Sequence, residues 1–354
     1  MFVRNCWYVA AWNYELGLGE IISRTIINEP IVLYRAAAGL TALADKCCHR
    51  FAPLSHGRLE GDDLRCMYHG LKFDRTGVCI EIPGQDTIPA RACVRAYPAV
   101  EKHSWIWVWM GEPELADEAL IPPAVGLDDP NWNLRSGQMD YEANYLLIND
   151  NLTDFTHLSY VHRNSFGTSE EFALTRPAIL PLDRGIRVQR WLANAIRSDV
   201  DNPLTNLRNV PADNDQWQTY DYLAPGILLM YSAMFPAGFG ESMGKRAPTA
   251  EDGPPLSAHF TSQAVTPMTD QTSRYFFSWG PLAGEGSDEM AEGMLSLANV
   301  AFTEDKLIIE AQQKVINTTP EVKEVLTSAD AGPMQMRSVI SKLIKNEANM
   351  RGMQ

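Results

Sequence analysis

Two short loops constrain most strongly what this chain can fold into. One carries Cys47-Cys48-His49 and the other Cys66-Met67-Tyr68-His69, so a Cys-x-His pair is followed, sixteen residues on, by a Cys-x-x-His pair. Each loop offers one thiolate and one imidazole, and the four donors act together only if folding brings the loops side by side. A tetrahedral zinc accepts such a set. So does a [2Fe–2S] cluster with two Cys on one iron and two His on the other. Mixed pairing favours the cluster, because both loops must straddle it, whereas zinc-finger spacing groups Cys with Cys and His with His. Gly57, Gly61 and Gly70 suit loops that wrap closely over sulfide. Cys47 rather than Cys48 keeps the Cys-x-His spacing. Cys6, Cys79 and Cys93 have no partner pattern and read as buried apolar fillers.

The surrounding sequence is strand-like. Ile21 to Ile27, Ile31 to Arg35 and Leu40 to Ala44 are apolar and β-branched, punctuated by Asn28-Glu29-Pro30 and Gly39. Trp105-Ile106-Trp107-Val108-Trp109 reads as a buried strand closing an all-β domain over residues 1–112. Residues 113–131, acidic and rich in proline, read as a linker at the head of a second domain over 113–354. There, strands at Gly185 to Trp191, Gln216 to Leu223, Ile227 to Tyr231, Ala258 to Val265 and Arg274 to Trp279 lead to helices at Asp288 to Ile316 and Met334 to Asn349. Phe239 to Pro255, dense in Gly and Pro, reads as a loop. The fold class is therefore α+β, and 354 residues at 45% apolar suffice for two cores. A net charge of −14 disfavours nucleic acid and anionic membranes as partners. No apolar run is long enough to span a bilayer. Without a signal-peptide core at the N-terminus, the six Cys read as reduced or metal-bound thiols of a cytoplasmic protein, not as a disulfide framework.

A second metal motif follows in Asn149-Asp150-Asn151-Leu152-Thr153-Asp154-Phe155-Thr156-His157-Leu158-Ser159-Tyr160-Val161-His162. The run Glu142 to Tyr160 lacks Pro and Gly and reads as a helix, with Asn151, Asp154 and His157 on one face. His162 falls five residues past His157, roughly 140° around an ideal helix. The helix must therefore end or bulge near Tyr160 for both rings to share a metal. Two His and one carboxylate form the facial set of non-haem Fe(II) oxygenases. Glu304 and Asp305 are candidates for the carboxylate, and helical periodicity does not choose between them. Asp154 is a rival, better placed to accept the free N–H of His157.

At this point the chain resembles the oxygenase components of the Rieske non-haem iron oxygenases, within the group of vanillate demethylase, toluenesulfonate methyl monooxygenase and dicamba demethylase. The likeness runs from Asn5-Cys6-Trp7-Tyr8-Val9-Ala10 through Cys47 to Leu71, Ile82-Pro83-Gly84-Gln85 and Trp105 to Gly111. It continues through Asn144 to His162, Glu304-Asp305-Lys306 and Ala329-Asp330-Ala331-Gly332. It implies a Rieske domain with Cys47, His49, Cys66 and His69 on [2Fe–2S], then a helix-grip catalytic domain with His157, His162 and Asp305 on Fe(II). It also implies catalytic roles for Asp154 and Asn151, with Asp154 linking His69 of one chain to His157 of the next in a head-to-tail homotrimer. The reaction implied is O2-dependent hydroxylation of a methoxy or methyl group of an aromatic acid, vanillate-like substrates being favoured, with loss of formaldehyde from a methoxy group. No Gly-rich dinucleotide fingerprint is present, so NAD(P)H and flavin would belong to a separate iron–sulfur reductase. A ring-hydroxylating dioxygenase α-subunit and a non-catalytic Rieske electron carrier are the alternatives.

The substrate pocket is less legible. Gln263 sits where related chains place a polar substrate contact, while His259 reads as structural. No Arg stands out as a carboxylate clamp. Lys46, Arg50 and Arg65 border the cluster loops and are candidates to meet an acidic partner.

Overall fold

The computed structural model describes residues 1–163, 165–166, 170–193 and 213–352. Contacts divide the chain into two units, Met1–Ile121 with Thr266–Asp270 and the residues from Asn349, and Pro122–Val265 with Gln271–Ala348.

The first unit is built from three small sheets. Trp105–Trp109 pairs with Trp7–Trp12 on one side and Ala99–Lys102 on the other, setting Trp7 opposite Trp109 and Val9 opposite Trp107. Every residue of Trp105–Trp109 is buried, which is why its sequence lacks the alternation of a half-exposed strand. A second sheet orders Ile21–Ile26, Glu29–Ala36, Gly39–Ala44 and Ala96–Tyr97. The third orders Arg58–Glu60, Asp63–Arg65, Lys72–Phe73 and Cys79–Glu81, and it projects the Cys66–His69 loop. Cys6 and Cys79 are buried, as the fillers should be, but Cys93 is exposed.

The second unit centres on a seven-stranded antiparallel sheet. Its strand order is Arg135–Tyr141, Ser273–Pro281, Ser257–Pro267, Ile227–Pro236, Asn214–Leu223, Gly185–Ala193 and Ala178–Leu182. The helix Asp288–Thr318, capped by Ser287 accepting from the Met290 amide, packs on the Arg135–Tyr141 and Ser273–Pro281 strands. A turn of helix at Phe239–Ser242 interrupts the expected loop.

The helix carrying the second motif is shorter than its sequence suggests. It spans Tyr145–Thr153, begins at an Asn144 cap that accepts from the Leu146 amide, and ends where Asp154 turns extended. Asp154 itself supplies the cause. Its carboxylate accepts from the Thr156 amide at 2.7 Å and the Thr156 hydroxyl at 2.8 Å, a local turn that competes with continued helix. His157–Ser159 then forms a separate 3₁₀ turn. The break thus comes at Asp154, not near Tyr160.

Candidate metal centres

In the first unit Cys47 and Cys66 are buried with their thiols in mutual contact, while His49 and His69 face each other at the surface with ring centroids 4.5 Å apart. Tight turns build each loop: the Phe51 amide reaches the Cys47 carbonyl at 2.9 Å and the Gly70 amide reaches Cys66 at 3.1 Å. Gly70 is required, because its φ is +77° and a Cβ there would sit 2.8 Å from Pro83 Cγ. Burial, with Cys66 adding, pushes the Cys47 thiol up to about 11. Two adjacent buried thiolates need positive charge between them, so two sulfurs inside and two imidazoles outside fit an iron–sulfur cluster. Cys48 is half-buried, with its thiol near that of Cys47. Phe51, Met67 and Tyr68 are exposed around the two histidines. Arg65 is not free for a partner, since Glu60 and Glu81 hold it at 2.7 and 2.8 Å, and Lys46 lies over the Phe51 ring.

In the second unit His157, His162 and Asp305 converge, each offering a ligand atom within 4.8 Å of the others. Asp305 Oδ1 lies 3.2 Å from Nε2 of His162 and 3.7 Å from Nε2 of His157. Asp305 occupies the buried stripe of its helix, in line with Ala298, Ala301 and Ile309. Asn151 donates from Nδ2 to the same Asp305 oxygen at 3.0 Å, fixing the carboxylate. Glu304 lies on the opposite edge of His162. Its Oε2 is 2.9 Å from Nδ1 and also accepts from the Ser165 hydroxyl at 2.6 Å. That bond places the ring proton on Nδ1 and leaves Nε2 facing Asp305. Burial alone would lower His162, but Asp305 and Glu304 together raise it above the ordinary imidazole range. Burial holds His157 below that range, with Asp305 opposing. Two imidazole nitrogens converging on one carboxylate oxygen fit a divalent cation, whose charge would meet the need that protons otherwise fill.

Asp154 does not do what helical geometry suggested. Its carboxylate engages Thr156 and not the His157 ring, whose Nδ1 is buried and has no hydrogen-bond partner among the described residues. Asp150, within the Tyr145–Thr153 helix, is clamped by Arg337, whose Nε reaches its two oxygens at 2.9 and 3.1 Å. The histidines and Asp305 border a cavity of about 90 Å³ whose walls include Phe155, Tyr220, Gln263 and Trp279. Gln263 is on that wall, with Nε2 donating to the Tyr220 hydroxyl at 2.7 Å and Oε1 buried. His259 accepts the indole N–H of Trp279 at 2.7 Å, a structural bond. Sequence reasoning missed Glu304 as the partner of His162 and the buried Arg190 behind the cavity wall.

Comparison with known proteins matches residues 6–98 to the Rieske [2Fe-2S] domain and residues 141–346 to the vanillate O-demethylase oxygenase C-terminal domain. The chain belongs to the Rieske non-haem iron oxygenases. It is 40% identical to the iron–sulfur subunit of the toluene-4-sulfonate monooxygenase system of Comamonas testosteroni, over 98% of both chains. It is 32% identical to a vanillate O-demethylase oxygenase subunit of a Pseudomonas species, over 98% of this chain and 96% of that one. Its fold superposes on dicamba monooxygenase bound to 3,6-dichlorosalicylic acid with a TM-score of 0.87 at 32% identity, covering 98% and 99% of the two chains. This Rieske oxygenase is an oxidoreductase of the monooxygenase type, with a [2Fe–2S] cluster and non-haem iron as cofactors. Among its described residues no helix is long and apolar enough to cross a membrane.

Proposed function

We propose that this oxygenase hydroxylates a methoxy or methyl group of an aromatic acid inside the cell, drawing electrons from a separate flavin and iron–sulfur reductase. In this reading Cys47, His49, Cys66 and His69 hold the cluster in a domain over 1–112. His157, His162 and Asp305 hold Fe(II) in a domain over 113–354. The convergence of those three residues on one largely apolar cavity is the observation that carries the reading. When bound, the cluster supplies single electrons and the Fe(II) supplies O2 activation. The chain's own residues do the rest. Glu304 keeps the His162 proton on Nδ1, and Asn151 steadies Asp305. Phe155, Phe166 and Trp279 exclude water and confine an aromatic ring. Gln263 is the proposed polar contact to substrate. Asp154 is assigned to the link between the two centres across the interface of a homotrimer, a role that rests on family resemblance.

Paired variants test the ligand assignments. His162→Ala should lose the mononuclear iron and turnover while keeping the visible spectrum of the cluster. Cys66→Ser should lose that spectrum. Undiminished product from His162→Ala, or an intact cluster in Cys66→Ser, overturns the corresponding assignment.

A further inference from the structure

Arg190 lies on the Gly185–Ala193 strand at an inward position, between Val188 and Leu192, and is 5% exposed. Its guanidinium sits between two rings, with Cζ 4.6 Å from the centroid of Phe155 and 4.1 Å from that of Phe172. Nη1 donates to the backbone carbonyls of Phe172 and Thr175 at 3.0 and 3.1 Å. Among the described residues no carboxylate pairs with it, and Asp154 acts on it only through space. A buried cation without an ion pair is expensive to hold, so a charge kept there needs a reason.

Gln218 supplies the reason. It stands directly across from Arg190 in the sheet, and its Oε1 accepts from Arg190 Nε at 3.1 Å. A guanidinium can only donate, so the Gln218 amide has one permitted orientation, with oxygen toward Arg190 and its NH2 turned away. Gln218 also lines the cavity shared by His157, His162 and Asp305, and no other described residue engages that NH2. The guanidinium polarises the amide, making its N–H groups stronger donors, and places a positive charge behind them.

We infer that Gln218, locked and polarised by Arg190, anchors the substrate through an aryl-bound oxyanion, a carboxylate or a sulfonate. This rests on the oxygenase reading for the identity of the cavity and for an aromatic acid as substrate, and it adds the residues that hold the acid group there. Arg190 is a positioning residue acting through Gln218. Phe155 joins the two, since it stacks on Arg190 and lines the cavity.

Calorimetric titration of the holoenzyme with 4-methylbenzoate, 4-methylbenzenesulfonate and neutral 4-methylbenzyl alcohol tests this. At least one anion should bind wild type about tenfold or more tighter than the alcohol, the scale of one hydrogen bond to a charged group. The preferred anion identifies the oxyanion. Gln218→Glu keeps an acceptor for Arg190 but presents carboxylate oxygen to the cavity, and Gln218→Met removes the donors without adding charge. Both variants should weaken the anion by about tenfold or more while leaving the alcohol nearly unchanged. No anion preference in wild type, or anion and alcohol falling in parallel in both variants, overturns the anchor. So does retained anion affinity in Gln218→Met. Loss of O2-dependent turnover in wild type with the anion preference intact would instead sink the oxygenase reading and leave the anchor standing.

Discussion

Glu304 and His162 form a carboxylate–imidazole pair on the side of the ring facing away from Asp305, at 2.9 Å from Oε2 to Nδ1. Two consecutive residues of one helix thus address the two nitrogens of a single histidine. Glu304→Ala should leave the fold and the cluster spectrum intact yet weaken mononuclear metal binding by about 10- to 100-fold, the usual effect of removing such a partner. Competition with a chelator measures it. Unchanged affinity would show that the pair does not orient the ligand.

Asp154 ends the Tyr145–Thr153 helix and is also the residue proposed to link the metal centres. Asparagine retains an oxygen for the Thr156 amide, so Asp154→Asn should fold normally and load both metals. Oxidation of a pre-reduced cluster, followed in a single turnover with substrate and O2, should nonetheless slow sharply. A wild-type rate would confine Asp154 to its structural turn.

The Arg58–Glu60 strand beside the Cys66 loop should carry a pH dependence. Arg65, the larger contributor, and Arg58 hold Glu60 down at about 2 from its ordinary 4.5. A carboxylate whose folded value is depressed stabilises the fold above its unfolded value, and that contribution disappears as pH falls through the folded value. Glu60→Gln should therefore lower Tm modestly near neutrality, with the difference from wild type shrinking as pH drops from about 4.5 toward about 2. A difference independent of pH would remove the ion pair from the explanation.

Much of this was legible in the chain. The Cys-x-His and Cys-x-x-His spacings pointed to two loops that do fold side by side, because short loops leave few ways to present mixed donors. The two His of the second motif were legible as well, but the helix boundary was not. No Gly or Pro marks the break at Asp154, and only the Asp-x-Thr turn signal is present. Leu307 and Ile308 blurred the choice between Glu304 and Asp305, since apolar residues that proved exposed mimicked a second buried face. Ala298, Ala301, Asp305 and Ile309 do trace one stripe once exposure is known. Arg190 carried a readable signal, an inward charge breaking the alternation of Ile186, Val188 and Leu192. Its partner across the sheet depends on strand register, which local pattern does not encode.

The central claim is that His157, His162 and Asp305 would hold the iron of an O2-dependent monooxygenase whose product carries one oxygen atom from O2 on a substrate side chain. The direct measurement supplies the metal-replete enzyme with a surrogate reductase, isotopically labelled O2 and a panel of methyl- and methoxy-arene carboxylates and sulfonates. The account predicts an arylmethanol carrying one labelled oxygen from a methyl-arene acid, or formaldehyde and a phenol from a methoxy-arene acid. It predicts no such product from His162→Ala. Ring dihydroxylation with two labelled oxygens, or no O2-dependent product from any member of the panel, would contradict it.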